Sequence, residues 1–139
     1  MSGVQVEALK RVPLFAELTD DEAGQIARLF KVRRFHAGET VIQEGSGGAA
    51  FFVIDSGEAN VFVRSEQKKT LGAGDYFGEI ALIDEGTRSA SITAASDLVC
   101  YGVTFWDFRP LVESNGAIGW KLLQSMTRLF REARESESA

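Results

Sequence analysis

A β-sandwich or jelly roll with helices at both ends is the fold class that this sequence predicts, and three observations predict it. Short apolar segments separated by glycine-bearing turns follow one another from Lys31 to Thr104. About eight such segments occur without a long helical pattern between them, which is the signature of packed antiparallel sheets. On either side, residues 1–30 and 105–139 change to three- and four-residue apolar spacing, the period of helices packed by one face. With 139 residues, the chain makes one domain able to bury about two-thirds of its unfolded surface.

Taken in order, residues 4–11 place Val4, Val6 and Leu9 at helical spacing, and Pro13 ends the run. Thr19 with Glu22 three positions on reads as a capping box. The helix that it starts presents Ile26, Leu29 and Phe30. Val32 to Phe35 is a weakly alternating strand, His36–Glu39 a turn, and Thr40 to Ile42 a strand. Gly45-Ser46-Gly47-Gly48 is a loop; it lacks the Gly-Lys-Ser/Thr ending of a phosphate-binding loop, and no helix pattern follows. Phe51–Ile54 and Ala59–Val63 are strands, and Asp55-Ser56-Gly57-Glu58 between them reads as a hairpin turn. Residues 68–71 and 75–77 are short strands around Gly72-Ala73-Gly74. Ser89 to Ala94 alternates, with Ala90, Ile92 and Ala94 on one face, and Leu98 to Thr104 is the last strand. Phe105, Trp106, Phe108 and Leu111 form a helix that tolerates Pro110. After Asn115-Gly116, a final helix repeats Ile118, Leu122, Met126, Leu129 and Ala133, joined by Leu123 and Phe130.

Composition excludes several classes of function. A net charge of −5 gives no footprint for nucleic acid or an anionic membrane. No apolar run reaches the ~20 residues of a membrane span. The first residues lack the basic and apolar regions of a signal peptide, so the expected location is cytoplasmic. Cys100 is the one cysteine, in an apolar strand, and reads as a buried structural thiol. His36 is the one histidine, so neither a metal centre nor a nucleophile–base pair assembles around it. An enzyme is not expected.

Chemistry concentrates in residues 77–91. Gly78 precedes a short apolar run, and glycine there lets backbone approach a ligand closely. The first N–H groups of a short helix have no internal partner and favour an anion. Arg88 returns a full positive charge in a planar fork able to hold two phosphate oxygens. By itself Arg88 is equally explained by a structural pairing with Asp84 or Glu85. Glu79 is a carboxylate that would repel a phosphate but would accept from a sugar hydroxyl beside it; a helix-start carboxylate is its alternative. Anion, sugar hydroxyl and one arginine together fit a nucleotide with a single phosphate.

This run resembles the phosphate-binding cassette of the cyclic nucleotide-binding domain family, as found in catabolite activator proteins and protein kinase A regulatory subunits. Phe77, Gly78, Glu79, Ile80, Ala81 and Leu82 match its first half; Arg88, Ser89, Ala90 and Ser91 match its second. Gly38-Glu39, Gly45, Phe51–Ile54, Gly57 and Gly74 extend the resemblance upstream. It implies a jelly roll of about eight strands at 31–104 carrying the cassette 77–91, with N-terminal helices in 1–30 and C-terminal helices in 105–139. It further implies that Arg88, Ser89 and the backbone N–H groups of Ile80, Ala81 and Ala90 hold the phosphate, and that Glu79 holds the ribose 2′-hydroxyl. Serine at 89 favours cAMP over cGMP in such a cassette. Thr87 departs from the common version, which has proline there, and leaves the loop less restrained. Val61 and Leu71 are apolar walls for sugar and base, or core. In the resemblance an apolar residue of the last helix covers the base; Leu122, Leu123, Met126 and Phe130 are candidates, and spacing does not choose among them, a packing stripe or a homodimer seam.

The function implied is regulatory: cAMP binding that shifts the C-terminal helices, with no nucleic acid or membrane partner. The chain has no residues after the long helix for a helix-turn-helix, so direct DNA binding is not expected, and an effector elsewhere would be invisible. The alternative is an interaction or dimerisation module with a degenerate nucleotide site.

Overall fold

The computed structural model describes residues 3–45, 50–78, 82–83 and 88–138. Elements follow in the order α1 (Val6–Lys10), a 3-10 turn (Pro13–Phe15), α2 (Asp20–Ala27), β1 (Lys31–Phe35), β2 (Thr40–Ile42), β3 (Ala50–Ser56), β4 (Ala59–Val63), β5 (Glu66–Leu71), β6 (Tyr76–Phe77), β7 (Ser91–Ala94), β8 (Leu98–Thr104), α3 (Phe105–Glu113) and α4 (Gly116–Ser138). The eight strands form two antiparallel four-stranded sheets, β1-β8-β3-β6 and β2-β7-β4-β5. This alternation of sequence-distant strands is a jelly roll, two sheets packed face to face rather than a closed barrel.

Three layers follow from the sequence of β3. Phe51, Phe52, Val53 and Ile54 are all buried, a run without alternation, because both faces of that strand are covered. Phe52 and Ile54 point between the sheets, packed with Ile42, Val61, Leu71, Ile92 and Leu98. Phe51 and Val53 point the other way, into a second core supplied by the helices through Leu9, Phe15, Ile26, Phe108, Ile118 and Leu122. Phe15 meets the rings of Phe51 and Phe108 at centroid distances of 5.9 and 6.2 Å. The sheet β1-β8-β3-β6 is therefore the middle layer, with helices on its back and the second sheet on its front.

The helical layer is fixed by polar pairs as well. Thr19 and Glu22 form the capping box, at 2.9 and 3.1 Å. Glu22 also accepts from Lys121 Nζ of α4 at 2.7 Å, and Arg128 of α4 pairs with Glu17 and donates to the Pro13 carbonyl. Both chain ends are thus clamped into one layer. Cys100 is fully buried, and its burial, with Asp55 nearby, pushes the thiol up to about 12. Such a thiol is unreactive. No helix among the described residues is long and apolar enough to cross a membrane.

One expectation is overturned. Asp55–Glu58 does not close a hairpin, since β3 and β4 lie in different sheets. The turn instead carries the chain from one sheet to the other. Gly57 there has φ +89, and a Cβ would meet the Asp97 carbonyl at 2.2 Å. The glycine serves close backbone approach rather than strand reversal. The tight hairpin of the molecule joins β4 to β5 across Arg64 and Ser65, both at positive φ (54 and 67), a backbone usually signalled by Asn-Gly.

Candidate functional site

Where the two sheets diverge, a cleft of about 470 Å³ opens, within the usual range for small-molecule sites. The sheet β2-β7-β4-β5 supplies its floor through Ile42, Ile92, Val61 and Leu71, and β6 adds Phe77. Gly78, Arg88, Ser89 and Ala90 close one end. The cleft has an apolar floor, with Lys69, Asp75, Arg88 and Ser89 adding polar and charged groups to its lining.

Arg88 is held there by backbone, not by acid. Its Nη2 donates to the Ala50 carbonyl at 2.6 Å. Among the described residues no carboxylate lies within ion-pair distance of it. Partial burial without such a partner pulls its pKa below the ordinary guanidinium value. The backbone that carries it is pinned to the neighbouring loop, because the Arg88 carbonyl accepts from Gly45 N at 2.9 Å and Ser91 Oγ accepts from Glu44 N at 2.8 Å. Gly78 is what lets the guanidinium sit where it does. At φ +86, its missing Cβ would lie 2.6 Å from the Ala50 oxygen and 2.9 Å from Arg88 Nη1. A partly buried guanidinium in a cleft with an apolar floor is a receptor for an anionic group on an otherwise apolar or planar ligand.

The structure brings six expected residues, Val61, Leu71, Gly78, Arg88, Ser89 and Ala90, around this one cleft. Glu79, Ile80, Ala81 and Thr87 lie outside the described residues. Leu122, Leu123 and Met126 line a different cavity, an apolar groove also of about 470 Å³, with Leu82, Phe105, Phe108 and Val112. Leu122 is buried in the helical core, whereas Phe130 is 62% exposed farther along α4. Phe77, which opens the cassette match, also lines the cleft, as do Ile42 and Lys69, which were not singled out from sequence. For Ile42 the sequence holds only ordinary apolar alternation. For Lys69 a signal existed, as a cation two residues from Leu71 and so on the same strand face.

The comparisons with known proteins agree with this geometry. A sequence profile described as the cyclic nucleotide-binding domain matches residues 32–115. The chain belongs to that family. Among curated relatives, the cAMP-dependent protein kinase regulatory subunit of Hypocrea atroviridis is 38% identical over 90 residues, 65% of this chain and 20% of the relative. The cGMP-dependent protein kinase of Plasmodium berghei is 36% identical over 106 residues, 76% of this chain and 12% of that protein. This cyclic nucleotide-binding domain thus spans about a fifth or less of the length of these two relatives. Among solved structures, the Thermus thermophilus catabolite activator protein aligns with a TM-score of 0.70 and 28% identity, over 91% of this chain and 62% of that one. The N-terminal domain of a transcriptional regulator from Streptomyces coelicolor A3(2) shares the fold with a TM-score of 0.83 at 23% identity, over 94% of each chain.

Proposed function

We propose that this domain binds a cyclic nucleotide, with cAMP as the first candidate, and acts as a regulatory sensor rather than a catalyst. The observation that carries the reading is the half-buried guanidinium of Arg88, without an acidic partner among the described residues and held by the Ala50 carbonyl over Gly78 in a cleft with an apolar floor. A cyclic phosphate supplies the missing anion, and the flat base lies along Val61, Leu71 and Ile92. Ser89, beside the arginine, adds a hydroxyl donor, and its small side chain is the basis for putting cAMP first. Glu79 is proposed as acceptor for the ribose 2′-hydroxyl, with backbone N–H groups of Ile80, Ala81 and Ala90 on the phosphate. The messenger is cytoplasmic, and so, in this reading, is the domain.

The signal leaves through Leu82. It lies within the cassette in sequence, is buried in the helix-side core, and lines the groove between α3 and α4. A ligand that tightens residues 78–88 around its phosphate therefore acts on the packing of the two C-terminal helices. Such a relay requires tighter ligand binding to one helix arrangement than to the other. The second reading, an interaction module, is favoured by the exposed apolar side chains Trp120, Leu123, Met126 and Phe130 of α4. They provide a seam for a second copy or another protein whether or not nucleotide binds.

Thermal unfolding with cAMP, cGMP and AMP, on the wild type and Arg88→Ala, tests the first reading. Ligand at about a hundred times its dissociation constant adds roughly 2.7 kcal/mol, a midpoint shift on the order of 10 °C for a domain near this size. The expected result is a shift with cAMP, a smaller one with cGMP, and none with AMP or in the variant. No shift at millimolar cyclic nucleotide would leave the interaction module standing.

A further inference from the structure

The loop after β2 is tied both to the chain that carries Arg88 and to the β4–β5 hairpin. Glu44 donates its backbone N–H to Ser91 Oγ at 2.8 Å, and Gly45 beside it donates to the Arg88 carbonyl at 2.9 Å. The Glu44 side chain reaches the hairpin, where its Oε1 accepts from Arg64 N at 2.9 Å. Arg88 needs such a tie. β7 begins at Ser91, and β2 pairs with it through a shifted register at Thr40 and Ile42. The ladder therefore stops short of Arg88, and residues 88–91 take part of their hold from the two backbone donors of residues 44 and 45.

The hairpin end of the tie is just as specific. Val63 and Glu66 form the last pair of β4 and β5, which leaves Arg64 and Ser65 as the loop, both at positive φ without a glycine. Residues with a Cβ enter that region at a cost, and an acceptor for the Arg64 N–H holds the hairpin in it. Glu44 is free to be that acceptor. It is half-buried, and among the described residues no cation lies within ion-pair distance of its carboxylate. Nor does it line the nucleotide cleft. With Gly45, Arg64, Ser65 and Ser91 it surrounds a separate hollow. Any effect of Glu44 on a ligand in the cleft must pass through what it holds.

We propose that Glu44 is a positioning residue for the phosphate site, locking the β4–β5 hairpin to the loop that holds the Arg88 main chain. This rests on the cyclic-nucleotide reading above. A guanidinium binds two oxygens only when its fork is placed for both, so a main chain that wanders loses the geometry while keeping the charge. The hairpin, which does not touch the phosphate, thereby sets how well Arg88 is presented to it.

The test pairs equilibrium binding of cAMP with NMR relaxation of the Arg88 Nε–H in the unliganded domain, on wild type, Glu44→Ala, Glu44→Gln and Ser91→Ala. Unfolding midpoints confirm that each variant is folded. Glu44→Ala and Ser91→Ala break the tie at its two ends. Each is expected to weaken cAMP roughly tenfold, within the scale of a small misplacement of a positioned group, and to loosen the Arg88 signal toward that of exposed arginines. Glu44→Gln keeps a carbonyl oxygen for Arg64 N, so it should stay within about threefold of wild type, less than the loss of one hydrogen bond. A change in one readout without the other would overturn the proposal, as would no change in either. So would a Glu44→Gln as weak as Glu44→Ala, since charge rather than the hydrogen bond would then be at work. A wild type that binds no cyclic nucleotide would instead bring down the reading beneath, while the Arg88 signal would still decide whether Glu44 holds the arginine.

Discussion

Two cavities of this domain have the same volume and opposite characters. The cleft between the sheets is apolar along its floor but carries Arg88 and Lys69 in its lining. The groove between α3 and α4 is apolar almost throughout, its one charged feature being the Arg109–Glu113 pair at 2.9 Å. Volume therefore does not distinguish a ligand site from a joint; the uncompensated charge does. In the groove each charge has a partner on the same helix, one turn away, and nothing is left to receive a ligand's polar group. In the cleft the guanidinium has, among the described residues, a carbonyl for its partner. Residues 78–88 connect the two, with Gly78 in one cavity and Leu82 in the other.

The sharpest way to break this contrast is to remove the charge. Arg88→Ala is expected to cost about 3–5 kcal/mol of cyclic nucleotide binding, the scale for truncating one partner of a desolvated charged contact. Without ligand its stability should change little, because the guanidinium makes one hydrogen bond among the described residues. Titration calorimetry against unfolding midpoints separates the two. A variant that binds as before would mean that the cleft is no more specialised than the groove.

Leu82→Ala tests the groove in the converse way. Leu82 is 1% exposed in the helix-side core, so its truncation should lower stability by about 2–5 kcal/mol. Nucleotide binding at the cleft should persist, while hydrogen exchange over residues 105–135 should no longer respond to ligand. If the response survives, the relay does not pass through Leu82.

Gly78→Ala ranks third. The positive φ and the Cβ position 2.6 Å from the Ala50 oxygen predict a loss of about 1–3 kcal/mol in stability from the strained backbone. Unlike Arg88→Ala, it should weaken folding and binding together, because the same Cβ displaces the guanidinium. Urea unfolding alongside binding checks that joint loss.

Much of this was legible in the sequence because local signals coincide with local causes. The Thr19–Glu22 box needs three residues and forms as read. Pro110 sits inside α3 as expected, and the helical period survives it. The four-residue apolar run at Phe51–Ile54 was legible as a strand, and the structure covers both of its faces. The Asp55–Glu58 turn failed for a physical reason: a glycine turn between two strands looks the same whether the strands pair or part, and Gly57 answers to Asp97, forty residues away in the chain. The partition of α4 was likewise hidden. Leu122 and Leu123 are neighbours in sequence, yet one is buried in the core and the other is 56% exposed. A stripe of apolar residues wider than its partner leaves some of them outside, and spacing alone cannot say which.

The smallest predicted effect concerns how α4 is held beside the groove. Glu22 is kept below the ordinary carboxylate value, first by its hydrogen bond from Lys121 and then by the Thr19 backbone N–H. A depressed folded pKa means that the contribution is present above the unfolded value of 4.5 and is lost as pH falls through the lower folded one. The pair is partly exposed, at 29% and 13%, so solvent screening limits it to about 1 kcal/mol. Lys121→Met should therefore lower stability slightly at pH 7, and the difference should shrink as the pH falls below 4.5 and through the depressed value of Glu22. Because Lys121 joins α4 to α2 and touches neither cavity, cyclic nucleotide affinity should stay within about twofold, a change under 0.5 kcal/mol. Unfolding midpoints across that pH range, paired with binding at neutral pH, check both halves. A clear change in affinity would show that the docking of α4 is set against the ligand already in the resting domain, and that cleft and groove are coupled through the helix layer as well as through Leu82.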